Sequence, residues 1–161
     1  MNFVTSQQVI SNVFTNTNTD TNLIKSVSIQ QTQLNHLKPV LTEELYNLIE
    51  SENDATNLSA VNQLLFDNYV VPAMYYFVKY DCMINIAVKS NSKGLNRGTG
   101  NFSQPSDNTD LGNVMASAFN EGLKILKNMT QYLQDNEDLY PTYERTQNVM
   151  NDVNNIGGII Y

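Results

Sequence analysis

The stretch YVVPAMYYFVKYDCMINIAVKSNSKGLNRGTGNFSQPSD, Tyr69 to Asp107, decides the fold class. Its first half is the most apolar part of the chain, and the polar residues Asp81, Asn85 and Lys89 recur at every fourth position. On a helix of 3.6 residues per turn they form one narrow stripe, with aromatic and aliphatic side chains around the rest of the cylinder. A helix so apolar has to be wrapped by others, so the reading is a mainly α protein with this helix at its centre. Pro72 lacks a backbone donor and crowds the preceding turn, so the helix is expected to begin or kink there. The second half changes character. Lys93-Gly94 and Arg97-Gly98-Thr99-Gly100 carry turn chemistry, and Gln104-Pro105-Ser106-Asp107 reads as a stop before a new helix. These signals predict a hairpin-like loop over roughly residues 91 to 106.

Downstream, about Thr109 to Gln134 has the cleanest helical period in the chain. Leu111, Met115, Ala118, Phe119, Ile125, Leu126, Met129 and Leu133 make one stripe, which reads as core, not as a cofactor box. Gly122 on that stripe predicts close approach of another helix. Leu139-Tyr140-Pro141 is read as the end of the compact part. The tail from Thr142 finishes in Ile156-Gly157-Gly158-Ile159-Ile160-Tyr161, apolar and β-prone, and is expected to dock on a partner.

Upstream, Thr5 can cap a short helix from Ser6 to about Phe14, with Val9, Ile10, Val13 and Phe14 on one side. Thr15 to Asn22 is a polar connector whose side chains compete for the backbone. Asn22 then caps a helix to about Leu37 with Leu23, Val27, Leu34 and Leu37 at helical spacing. The single histidine, His36, falls before Lys38-Pro39 and reads as a cap at a helix C-terminus, not as a catalytic base. Thr42 caps a short helix with Glu43 and Glu44 in its first turn and Leu45, Tyr46, Leu48 and Ile49 inward. From about Leu58 a further helix carries Val61, Leu64, Leu65 and Tyr69 toward Pro72. The domain reading is an N-terminal arm and Asn/Thr-rich loop over 1–21, a bundle of about four main helices over 22–141, and a C-terminal extension over 142–161.

The 161 residues suit one domain, and 41% hydrophobic content is ordinary for a folded chain. The net charge of −7 argues against nonspecific binding of nucleic acid or anionic membrane by the whole surface. Charge is uneven: Cys82 to Ser106 has no Asp or Glu but has Lys89, Lys93 and Arg97, while acids dominate from Asp135. The lone Cys82 has no partner for a disulfide and reads as a small buried hydrophobe. Cys/His spacing for a structural zinc is absent from the sequence. The N-terminal residues lack a signal-peptide pattern, and Lys79 and Asp81 interrupt the apolar run, so no membrane span and a cytoplasmic site of synthesis are expected.

Catalytic sets are not found in the sequence. There is no Gly-x-Ser-x-Gly elbow, and SKGLNRGTGNF follows a helix and lacks the spacing of a phosphate-binding loop. Glu43/Glu44 and Glu137/Asp138 are adjacent pairs that point apart on a helix and read as solvated faces. The expectation is a protein without enzymatic activity, cofactor or metal. Asn-x-Ser/Thr triplets at Asn57, Asn101 and Asn128 follow from abundant asparagine and carry no weight.

Val71-Pro72-Ala73, Tyr75-Tyr76, Asn91, Lys93-Gly94, Arg97, Ser103, Pro105 and Leu139-Tyr140-Pro141 occur in an order that resembles the head–tail connector (head-completion, or neck ring) proteins of tailed bacteriophages, in particular of crAss-like phages. A weaker echo lies in Ile29 to Tyr46, and the likeness covers roughly residues 20 to 145. Thr15 to Asn22 and the Gly-Gly-Ile-Ile-Tyr end depart from that pattern. The resemblance implies a virion structural protein at the neck, made in the bacterial cytoplasm, that forms a ring of about twelve copies under the portal. It implies contacts with the portal protein and an adjacent neck or tail ring, and DNA that passes through the channel without specific binding. Candidate interface residues are Lys89, Lys93, Gly94, Arg97, Gly98, Gly100, Ser103, Pro105, Ile156, Ile159, Ile160 and Tyr161. The alternatives are a small cytoplasmic helical interaction module and a DNA-binding protein using Lys89, Lys93 and Arg97.

Overall fold

Neither proline inside the helical runs ends a helix. The computed structural model describes residues 2–14, 19–87, 89–91, 94–96 and 108–149. In it α2 (Ser26–Thr32) passes through a π turn, Gln33–Leu37, into α3 (Lys38–Leu41). Likewise α5 (Ala60–Leu65) passes through a second π turn, Phe66–Val70, into α6 (Val71–Ala87). The Lys38 N–H bonds to the Gln33 carbonyl and the Val71 N–H to the Phe66 carbonyl, each five residues back. Widening the turn just before Pro39 and Pro72 relieves the clash between the ring and the carbonyl four residues earlier. The disturbance expected at Pro72 is present as the second π turn: α6 itself begins at Val71, while the helical run as a whole continues from Ala60 to Ala87.

The rest of the described chain wraps α6, which packs on α1 (Ser6–Val13), α2 and, most extensively, α7 (Asn108–Asp135). Helices α6 and α7 are antiparallel, since Tyr69 meets Tyr132 whereas Tyr80 meets Phe119. Between them, β1 (Lys89–Asn91) and β2 (Gly94–Asn96) form an antiparallel ribbon with Lys89 opposite Asn96. The predicted hairpin thus starts two residues early, and its part from 97 to 106 lies outside the described residues. Helix α4 (Glu43–Asp54) packs beside α3. The fold is the expected small, mostly helical bundle.

The arm reading of residues 1–21 does not hold. Phe3, Val4, Val9 and Ile10 are buried in the same core as α6, and the Thr5/Gln8 capping box starts α1 as expected. Its C-terminus is closed by Lys79, whose amine donates to the Val13 carbonyl at 2.7 Å. The boundary at Pro141 moves too, because Tyr143 and Asn148 are buried and Asn148 Nδ2 donates to Tyr143 Oη. Asn22 caps nothing: Asp20 caps a short 3₁₀ turn, Thr21–Leu23, and α2 begins at Ser26.

Burial departs from the predicted stripes in α2 and α5. Val27 is 74% and Leu64 56% exposed, while the neighbouring Ile29 and Leu65 are buried. The first π turn also turns Gln33 inward. Its amide accepts from the Phe3 N–H at 2.9 Å and donates to Tyr46 Oη at 2.7 Å, so one buried polar side chain ties the N-terminal segment to α4.

Candidate functional site

The molecule has two poles, set by the run from Ala60 to Ala87. At one end α6 hands over to the ribbon, with β1 beginning two residues after Ala87. At the other end lies an open groove of about 240 Å³ between α4, the first turn of α5 and the turn after α7. Leu45, Leu48, Val61, Leu139 and Pro141 supply its apolar surface. Leu48 and Leu139 are exposed, 37% and 53%.

Local chemistry shapes the groove. Glu52 accepts from the Ser59 N–H at 3.0 Å and from Asn62 Nδ2 at 2.8 Å, which fixes the start of α5 against the end of α4. Tyr140 is buried and donates to the Val61 carbonyl at 3.0 Å, which holds the turn after α7 against α5. Its ring packs on Tyr132, which in turn stacks on Tyr69 at 5.1 Å. Burial, then the hydrogen bond with Tyr132, pushes the Tyr140 phenol well above its ordinary value.

Between the poles, His36 does not cap a helix end, because the π turn carries the helix past it to Leu41. Its imidazole stacks on the Phe77 ring, 4.2 Å between centroids and 6° from parallel. His36 Nε2 lies 3.4 Å from Asp81 Oδ2, which also accepts from Thr32 Oγ1 at 2.6 Å. Burial pushes the Asp81 carboxyl up, but the hydrogen bonds from His36 and Thr32 outweigh it and hold the carboxyl below its ordinary value. The cluster joins α2 to α6 through partly exposed His36 and Asp81 and buried Thr32. Cys82, next in sequence, is buried, and burial followed by the Asp81 charge pushes its thiol up to about 11. Burial likewise lowers the Lys79 amine. Among the described residues no group of three or more His, Cys, Asp or Glu is placed to hold a metal ion, and no helix is long and apolar enough to cross a membrane.

Of the candidate interface residues, Lys89 and Gly94 lie in β1 and β2. Lys93, Arg97, Gly98, Gly100, Ser103, Pro105, Ile156, Ile159, Ile160 and Tyr161 lie outside the described residues. The groove escaped the sequence reading, which turned Leu48 inward and read Leu139-Tyr140-Pro141 only as the end of the compact part. A signal was present: the segments that line the groove contain no Lys or Arg from Pro39 to Val78, or from Asn128 to Glu144.

These features define a helical bundle whose longest hairpin carries a basic ribbon at one end and an apolar groove at the other. A family model matches residues 37–153, and the chain belongs to that family, DUF6712, a family of unknown function. No curated protein matches the chain, and no solved structure does. The ribbon and the groove both fall within the matched span.

Proposed function

We propose that this chain is a ring-forming head–tail connector of a tailed-phage virion. It joins the portal of the capsid to the next neck or tail ring and surrounds the DNA channel. Its role is mechanical, without catalysis or cofactor: it adapts one symmetric surface to another and stays bound. The observation that carries the reading is where the resembling residues sit. Val71-Pro72-Ala73 and Tyr75-Tyr76 open α6, Asn91 and Gly94 lie in the ribbon, and Leu139-Tyr140-Pro141 follows α7, all on one helix–ribbon–helix unit. The charge of the chain, −7, suits a wall past which DNA slides without adhering.

The test is assembly. The purified chain, alone and with the portal protein of the same genome, is examined by sedimentation and negative-stain electron microscopy. One large closed species with a central hole is expected. A monomer under every condition, portal included, overturns the reading in favour of a module that binds a single partner. Salt-sensitive binding to duplex DNA, lost in Arg97→Glu, overturns it in favour of a DNA-binding protein.

A further inference from the structure

Thr42 is the single residue between α3 and α4, and it carries two penalties. At φ 68° and ψ 161° its backbone lies in a region almost confined to glycine. Its hydroxyl is buried without a hydrogen-bond partner among the described residues and caps nothing on α4. Thr56, just past the other end of α4, is the other described non-glycine residue with a positive φ, 52°, but its polar groups are bonded. Its hydroxyl donates to the Ala55 carbonyl at 2.8 Å and its N–H to the Asn53 carbonyl at 3.0 Å. The Glu52 carboxylate then ties that turn to Ser59 and Asn62.

Both penalties at Thr42 vanish if the residue turns helical. None of Thr42, Glu43, Glu44 and Leu45 is proline, so their N–H groups would meet the Lys38 to Leu41 carbonyls four residues back. The hydroxyl would come within reach of the Lys38 carbonyl. Helices α3 and α4 then fuse into one, from Lys38 to Asp54. Straightening carries the chain before Thr42 away from the core that it shares with the chain after it. That core is extensive: Phe3 meets Phe66 at 5.4 Å, His36 stacks on Phe77, and Ile10, Ile29 and Leu37 are buried. Lys79 bonds the Val13 carbonyl and Gln33 bonds Tyr46 across the same divide. Neither half can stand exposed, and one surface reproduces every partner: that of a second copy of this chain.

We propose that Thr42 is the hinge of a domain swap, in which α1–α3 of each of two copies pack on α4–α7 of the other. A short hinge under strain favours such an exchange. Each exchanged core repeats the contacts of the closed chain, so the balance rests on the hinge and on the entropy lost in joining two copies. The Lys38–Glu43 ion pair spans the hinge at 2.8 Å and favours the closed form, but it is partly exposed and weak. The exchange stands apart from the ring reading, since a ring can be built of exchanged or of unexchanged copies.

In the experiment the full-length native chain and Thr42→Gly are refolded from urea over a wide range of concentration, without portal protein. Sedimentation velocity separates species of one and two copies. The native two-copy species is expected to grow with the concentration at refolding. Once isolated it should persist on dilution, because exchange back requires the core to open. Glycine is at ease at this φ and is a poorer helix former than threonine. Thr42→Gly should therefore lower the dimerisation constant about a hundredfold, about tenfold for each of the two hinges. Refolding a mixture of isotope-labelled and unlabelled native chain tests the seat itself: filtered nuclear Overhauser spectra should place Phe3 of one copy against Phe66 of the other. A two-copy species in which that contact stays within one copy is a surface dimer and overturns the proposal. So does a Thr42→Gly chain that dimerises as strongly as the native one, or a native chain with no two-copy species at any refolding concentration.

Discussion

The Phe77 ring occupies the space that a side chain on Gly122 would need. A β-carbon built at Gly122 falls 2.8 Å from Phe77 Cζ. The ring has little freedom to retreat, because His36 stacks on it and Phe119 meets it at 75°. This contact lets α6 and α7 approach closely at the middle of the bundle. Gly122→Ala gains up to about 1 kcal/mol of helix propensity but overpacks the interface by about 1–3 kcal/mol. The expected outcome is a net loss, seen as a lower urea midpoint with an unchanged slope. Adding Phe77→Leu should recover part of the loss, and strict additivity of the two changes would count against the contact.

Thr42 stands between α3 and α4 at φ 68° and ψ 161°, a region that side chains with a β-carbon rarely occupy. Its hydroxyl is buried without a hydrogen-bond partner among the described residues and makes no capping bond, although the sequence places it at the N-cap. Thr42→Gly releases about 1–3 kcal/mol of backbone strain and removes the buried hydroxyl, against a chain-entropy cost of about 0.5–1 kcal/mol. The variant should therefore unfold at higher urea than the native chain. Thr42→Ala keeps the strained backbone and should gain less, so the order Gly, Ala, Thr is the measurement that decides.

Asp81 links α6 to α2 through His36 and Thr32. Its carboxyl is held below its ordinary value, so its contribution is complete above its unfolded value, near 3.9, and is lost as pH falls through the lower folded value. The pair is partly exposed, 20% at His36 and 30% at Asp81, which keeps its worth under about 1 kcal/mol. Asp81→Asn should lower stability at pH 6. The gap to the native chain should begin to close below about pH 4, where the unfolded carboxylate takes up a proton, and vanish once the native carboxyl is protonated at its lower folded value. Urea titrations from pH 3 to pH 7 test this, and a gap that stays constant down to pH 3 would refute it.

The parts of this fold that follow regular periods were legible in the sequence. The stripe of α7 gave its extent to within a residue at each end, and Gly122 on that stripe announced the contact with Phe77. Pro39 misled because a π turn before it makes room for the ring and the helix runs on to Leu41; at Pro72 the expected disturbance took the form of a π turn, and no residue pattern announces a widened turn. Val27 and Leu64, both placed on the apolar stripes by their spacing, face outward. At the candidate site, the ribbon was visible as turn chemistry and local charge. The groove was not, because it joins Leu48 to Leu139, residues more than ninety positions apart that only tertiary packing brings together.

Tyr140 holds the groove in shape, and its hydroxyl can be removed without changing the bulk of the ring. Tyr140→Phe leaves the Val61 carbonyl without that donor and should cost about 1 kcal/mol. The ring still packs on Tyr132, so the fold should persist and the loss should appear as a modest drop in melting midpoint. Because the bond joins the turn after α7 to α5, amide exchange should quicken around residues 137–143 and leave the Phe77–Phe119 contact undisturbed. Tyr132→Phe is the control: its oxygen lies 3.4 Å from Tyr140 Oη, a weaker contact, and its removal should cost less. Equal losses in the two variants would show that ring packing, and not the bond to Val61, fixes the turn.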